Sequence, residues 1–281
     1  MLERLAKRCD PTFFRLFTHI DARSPIGPKD MARLSALGCH VFKKYRIRWG
    51  SITHLYAILD LLQMATQEAD CDYVHIISGQ DYPVASVDDF QARCDGHIFM
   101  NYEALQDCPD YVKDRYRRFN LFYRLQSGPP FSGSIHKHLD RLSLWGQRRL
   151  GIHRQQITPF QTLFQGIVWM SFPAAAGRKL LADPVAQTFL KSIRTTYLPE
   201  ETFFQSYFLN SELAARVLNS DLRYADWTHR NGSVPAYLEE SDVEPIWARR
   251  PLFARKVSTD VSQAFMRRID EILGGERPSG K

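Results

Sequence analysis

Apolar residues recur at Ile52, Leu55, Tyr56, Leu59 and Leu62 within WGSITHLYAILDLLQMATQEA, the spacing of one helical face. Shorter apolar runs bounded by turn residues read as strands: RLFTHI (Arg15 to Ile20), CHVF, DYVHII, GHIFM and QGIVWMSF. The first ends in the polar cluster DARS, and DYVHII runs into SGQDYP. HKHLDRLSLWGQRRLGI reads as a helix, Pro173 opens another, and the stretch after Pro199 reads as a third, running to about Asn219. SGPPFSGS is a loop. The last third mixes the short strands LRYADW and PLFARKV with a final helix from about Thr259 to Leu273.

Strands alternating with helices predict an α/β fold, a mostly parallel, Rossmann-like sheet flanked by helices on both faces. One domain is expected over residues 1–274, with a disordered tail at 275–281. In such sheets ligands sit beyond the carboxyl ends of the strands. DARS and SGQDYP both fall at such ends.

Composition narrows the class without choosing a function. The 281 residues are 44% hydrophobic and 24% charged, enough for one large domain with a core. The net charge of +6 suits phosphate-bearing ligands, nucleic acid or lipid headgroups alike. Cys9, Cys39, Cys71, Cys94 and Cys108 are odd in number and form no CxxC pair, which reads as free thiols in a reducing compartment. No apolar run reaches the ~18 residues of a membrane span, and MLERLAKRCDPTFF lacks the form of a secretory signal. The expectation is a cytoplasmic protein, with peripheral contact at the inner face of the membrane allowed by its charge.

The chain has no GxGxxG after a strand, no GxxxxGK[ST] and no GxSxG. His136 and His138 form an HxH that nothing nearby completes into a metal site. Asp70-Cys71-Asp72, the one Asp-x-Asp, precedes its strand, at the end opposite to where a ligand belongs. After that strand Ser78-Gly79-Gln80-Asp81 offers a single carboxylate, so a diphosphate there needs cationic side chains. FARK supplies two, Arg255 and Lys256. In LPEETFFQS, Pro199 and the acids Glu200 and Glu201 suit a first helical turn. Phe203 and Phe204 would then hold that turn on the core.

HIDARS, WGSITHLYAILDLL, DYVHIISGQDYPV, GIVWMSF, LPEETFFQS, LRYADW and FARK follow one another in this order. In that order the chain resembles the core-2/I-branching N-acetylglucosaminyltransferase and peptide O-xylosyltransferase family, in its bacterial form. DARS and FARK place it nearer the xylosyltransferase branch. The resemblance implies a GT-A-like glycosyltransferase fold, a UDP-sugar donor, inversion at the anomeric carbon and no metal or other cofactor. Carried over by position, Glu201 resembles the catalytic base, with Glu200 as a solvated cap. Arg255 and Lys256 match the cations on the diphosphate, and Asp21 and Arg23 the pair that reads the uracil edge. Trp49, Gly50, Asp81, Trp169, Asp226 and Trp227 resemble residues lining the donor and acceptor pocket. An inverting transfer needs one base and positive charge on the departing UDP, which these residues supply. The helix dipole is expected to keep Glu201 ionised.

Three departures accompany the resemblance. The family's first strand is expected to be missing, because Met1 begins at the helix that follows it. Val168 stands where the xylosyltransferase branch has an acidic residue, and the disulfides of the animal relatives have no counterpart. The expected partners are a UDP-sugar and a glycan or protein acceptor, in cell-surface polysaccharide or glycoconjugate synthesis. Two alternatives differ in class. One is a sugar-nucleotide binder without catalysis. The other is a nucleic-acid binder working through YVKDRYRRFNLFYR, disfavoured because no recognised nucleic-acid module surrounds that stretch.

Overall fold

The computed structural model describes residues 1–120, 122, 135–152 and 158–274. SGPPFSGS, the side chain of His136 and the tail at 275–281 lie outside the described residues.

The chain runs α1 (Leu2–Arg8), β1 (Leu16–His19), α2 (Pro28–Ala36), β2 (Cys39–Phe42), α3 (Ile52–Gln67), β3 (Tyr73–Ile76), β4 (Asp81–Pro83), α4 (Val87–Arg93), β5 (Ile98–Met100), β6 (Glu103–Ala104) and α5 (Asp110–Arg117). It continues with α6 (Ile135–Arg149), β7 (Phe164–Gln165), β8 (Met170–Pro173), α7 (Ala174–Ala182), α8 (Pro184–Ser192), α9 (Glu200–Leu209) and β9 (Val217–Asn219). It ends with β10 (Arg223–Ala225), α10 (Val243–Arg249), β11 (Phe253–Arg255) and α11 (Gln263–Gly274).

The strands form mixed sheets, not one mostly parallel sheet. The four-stranded sheet has the order β3-β8-β5-β9, with β8 antiparallel to both of its neighbours and β9 parallel to β5. A three-stranded sheet, β10-β11-β4, joins one parallel and one antiparallel pair. The pairs β1-β2, parallel, and β6-β7, antiparallel, complete the pairing. Apolar runs mark where strands lie but carry no direction, so the reversal of β8 was not legible in them.

Two segments differ from the sequence reading. The helix after Pro199 ends at Leu209, and the segment before Asn219 is strand β9. QGIVWMSF enters β8 only at Met170. Leu198 adopts a left-handed φ of 55°, and Pro199 follows in the right-handed helical region as the residue before α9. From Thr202 to Phe208 every side chain of α9 is buried, and its polar groups find backbone carbonyls: Thr202 and Ser206 donate to that of Phe164, and Gln205 to that of Ile167. The helix lies in a core of Leu55, Leu62, Phe172, Phe189, Phe203 and Phe204, where α3, α7 and α8 meet the four-stranded sheet. Ser51 caps α3, its hydroxyl accepting from the Thr53 N–H. Val168 packs in this core at 5% exposure. A second core joins α11 to the three-stranded sheet through Tyr82, Phe265, Met266 and Ile269.

Candidate active site

A cavity of about 1110 Å³ opens between the four-stranded sheet, α5 and the β10-β11 edge. Glu201, Trp169, Trp227 and Arg255 line it, together with Arg115, Gly166 and Arg223. The wall beneath Glu201 is tight. A Cβ on Gly166 would stand 1.9 Å from the Asn101 carbonyl oxygen, and the Gly166 N–H donates to the Glu201 carbonyl at 2.8 Å. Glycine is required there because two backbones approach closely.

The two acids of the first turn of α9 face different environments. Arg115 Nη1 donates to Glu201 Oε2 at 2.8 Å. Glu200 is 3% exposed, and its Oε1 lies 3.0 Å from His54 Nδ1. Glu200 is therefore not the solvated cap that its position suggested. Its other oxygen, Oε2, is buried without a hydrogen-bond partner. The expectation that the helix dipole alone keeps Glu201 ionised is also corrected. Burial pushes the Glu201 carboxyl up to about 7, Arg115 pulls against this, and the Glu200 charge adds to the rise. A carboxyl poised near neutrality suits a general base better than one ionised throughout.

Below the cavity, Asp81 is fully buried. It accepts from Trp169 Nε1 at 3.1 Å and from the hydroxyl and N–H of Ser78, and Arg255 Nη1 stands 3.6 Å away. The Arg255 guanidinium lies over the Trp169 ring, 3.8 Å from its centre. Asp81 thus holds Trp169 and Arg255 in place and does not itself face the cavity. Arg223, half-buried on the cavity wall, donates to the carbonyls of Ile76 and Met170, and desolvation lowers its guanidinium to about 10.

The remaining residues carried over by resemblance do not line the cavity. Asp21 and Arg23 form a bidentate pair beyond the end of β1, and Asp21 also accepts from the Ile47 N–H. The Arg23 hydrogen bond, followed by backbone N–H contacts, holds the Asp21 carboxyl down to about 2 against burial. Trp49 packs edge-on against Tyr197, ring centres 5.4 Å apart. Gly50 has φ +75°, and a Cβ there would meet the Tyr197 ring at 2.3 Å. Arg115 lies over that same ring at 5.9 Å, which ties Trp49 and Gly50 to Glu201. Lys256 and Asp226 meet through Ala236, whose N–H donates to the Asp226 carbonyl and whose carbonyl accepts from the Lys256 N–H. Lys256 Nζ donates to Ser233 Oγ at 3.4 Å. Burial and the neighbouring Arg255 lower its pKa.

The family model of the Core-2/I-Branching enzyme matches residues 15–246. The chain belongs to the core-2/I-branching enzyme family. Xylosyltransferase oxt of Drosophila melanogaster is 23% identical over 253 residues, covering 83% of this chain and 27% of the fly protein. Xylosyltransferase 1 of Mus musculus is 24% identical over 254 residues, covering 83% of this chain and 24% of its own length. Xylosyltransferase 1 of Homo sapiens is 24% identical over 289 residues, 94% of this chain and 28% of its own length. The chain therefore spans roughly a quarter of the length of these relatives.

Arg115, His54 and Tyr197 had no assigned role in the sequence reading. Arg115 stood out there only as one cation of a basic, aromatic stretch. No helix among the described residues is long and apolar enough to cross a membrane. The described residues contain no group of three or more His, Cys, Asp or Glu placed to hold a metal.

Proposed function

We propose that this chain moves a sugar, xylose or N-acetylglucosamine, from a UDP-sugar to an acceptor hydroxyl in one inverting displacement. The observation that carries the reading is Glu201, a carboxyl poised near neutrality on the cavity wall and held by Arg115. Glu201 takes the proton of the acceptor hydroxyl as its oxygen attacks the anomeric carbon. The bond from that carbon to the UDP oxygen breaks on the opposite side, and UDP departs with its electron pair. Arg255 and Lys256 stabilise the departing diphosphate in place of a metal ion. Trp169 stacks on Arg255, and Asp81 fixes both. Asp21 and Arg23 read the uracil edge. Trp49, Gly50, Asp226 and Trp227 shape the donor and acceptor pocket. A GT-A-like arrangement is the fold this mechanism uses, and a glycan or protein of the cell surface is the acceptor class.

Calorimetry with UDP, UDP-xylose, UDP-N-acetylglucosamine and UDP-glucose tests the donor. The reading expects UDP and one sugar nucleotide to bind without added metal. Equal binding of UDP, ADP and GDP would overturn it.

A further inference from the structure

We propose that the exposed face of α6 docks onto an anionic lipid surface. Leu142 is 62% exposed, Trp145 56%, and Leu150, just past the helix, 76%. Leu142 and Trp145 are three residues apart and share a face, which Ile152 extends beyond the helix end at 40% exposure. Four large apolar side chains in an eleven-residue stretch are thus left in water.

The cations decide what covers them. His138, Arg141, Arg148 and Arg149 are exposed along the same segment. Arg149 lies over the Trp145 ring at 5.7 Å, so a cation and the most amphipathic side chain of the face are neighbours. Arg141 and Arg149 have no carboxylate partner among the described residues. The only acid of α6, Asp140, is turned inward and accepts from the Phe122 N–H at 3.0 Å. A face with Leu and Trp at its centre, arginines around it and no outward acid matches an interfacial helix on anionic headgroups. The arginine stems can lie along the apolar surface while their guanidinium groups stay with phosphate.

The opposite side of α6 fixes it to the enzyme. Gln147 is buried and exchanges hydrogen bonds with the Phe119 backbone, both at 2.9 Å. Asp114 of α5 accepts from Arg118 at 3.0 Å and from Arg148 Nε at 2.9 Å. The next residue of α5 is Arg115, which holds Glu201. The docking face therefore lies one helix away from the cavity. Resting on the glycosyltransferase reading above, this placement favours acceptors presented at a membrane surface.

The test is sedimentation of the full chain with phosphatidylcholine vesicles, with and without phosphatidylglycerol. The protein should sediment with the anionic vesicles only, and added salt should release it. Leu142→Ser with Trp145→Ser, and separately Arg141→Glu with Arg149→Glu, should each weaken binding by at least about tenfold. Both variants should bind UDP as the parent does, which shows that they fold and separates this test from the donor reading. A blue shift of tryptophan emission on the anionic vesicles should vanish in Trp145→Phe. Equal sedimentation with both vesicle types, or none with either, would overturn the proposal. So would unchanged binding by both double variants, or self-association of the parent that they abolish.

Discussion

Arg115 of α5 donates to Glu201 of α9 at 2.8 Å, across 86 residues of sequence. In the proposed mechanism this contact pairs the base with a cation before substrate binds. Burial raises the Glu201 carboxyl and Arg115 draws it back, so the balance of the two sets the fraction ready to accept a proton.

Replacing Glu201→Gln should abolish most transfer while leaving UDP binding nearly unchanged. Loss of a general base costs about 10²–10⁴ in rate. The amide keeps the shape of the carboxyl but cannot take the proton. Turnover and calorimetry on the same preparation check this. Activity retained in Glu201→Gln but lost in Glu200→Gln would move the base by one residue.

Arg115→Gln should displace the acid limb of the pH–activity profile. Glu201 works ionised, so kcat/KM falls as pH drops through its pKa, about 7 with Arg115 present. Removing the cation raises that pKa, so the limb moves to higher pH. The deficit should be largest at about pH 6, roughly tenfold for each pH unit that the limb moves, and shrink toward about pH 9. A deficit equal at all pH values would assign Arg115 to substrate binding alone.

His54→Gln should destabilise the fold in a pH-dependent way. Burial draws the His54 pKa down, but its hydrogen bond to Glu200 and the charges of Glu200 and Glu201 outweigh this and hold it above 6.5. A raised folded pKa contributes stability that is complete below the unfolded value and lost as pH rises through the folded one. The variant should therefore lose more at about pH 6 than at about pH 9. A charge-assisted hydrogen bond to a buried carboxylate contributes about 1.5–3 kcal/mol. Water reaches part of His54, so the lower end applies. Thermal unfolding at two pH values measures it, and a deficit that grows with pH would contradict the assigned charge.

These pairings show where sequence reading stops. The strands at Leu16–His19, Cys39–Phe42 and Tyr73–Ile76 and the helix at Ile52–Gln67 were legible because apolar spacing is a local property. Motif order singled out Glu201 and the FARK cations, and the structure places Glu201 and Arg255 on one cavity wall. His54 and Glu200 are 146 residues apart, and nothing local to either signals the other. Glu200 looked like a solvated cap because acids in first turns usually are. It is buried because it opens a helix set in the core, where His54 of α3 meets its carboxylate. The strand β9 was hidden for a related reason. It has three residues, and its apolar character merges with the helix before it.

The last prediction separates side-chain cations from a metal on the leaving diphosphate. The single Asp-x-Asp is committed elsewhere, since Asp70 Oδ2 accepts from Arg15 Nη2 at 2.7 Å. Asp81, the other candidate ligand, is fully buried and engaged by Ser78, Trp169 and Arg255. Arg255 is held in place by that carboxylate and by the Trp169 ring, whereas the Lys256 ammonium donates to the Ser233 hydroxyl at 3.4 Å and has no ion-pair partner among the described residues. Lys256 is thus the cation freer to follow charge that grows on the phosphate as the bond breaks. Transfer should survive excess EDTA. Lys256→Ala should lower kcat by on the order of a hundredfold, the loss typical of one transition-state charge contact. Asp81→Asn should act differently. It would release Arg255 and Trp169 together, weakening UDP binding and lowering thermal stability along with turnover. Activity lost in EDTA and restored by Mn²⁺ or Mg²⁺, with Lys256→Ala nearly silent, would reject the side-chain mechanism. Asp81 would then have to turn from its buried partners toward a metal, and Asp81→Asn would abolish the metal dependence with the activity.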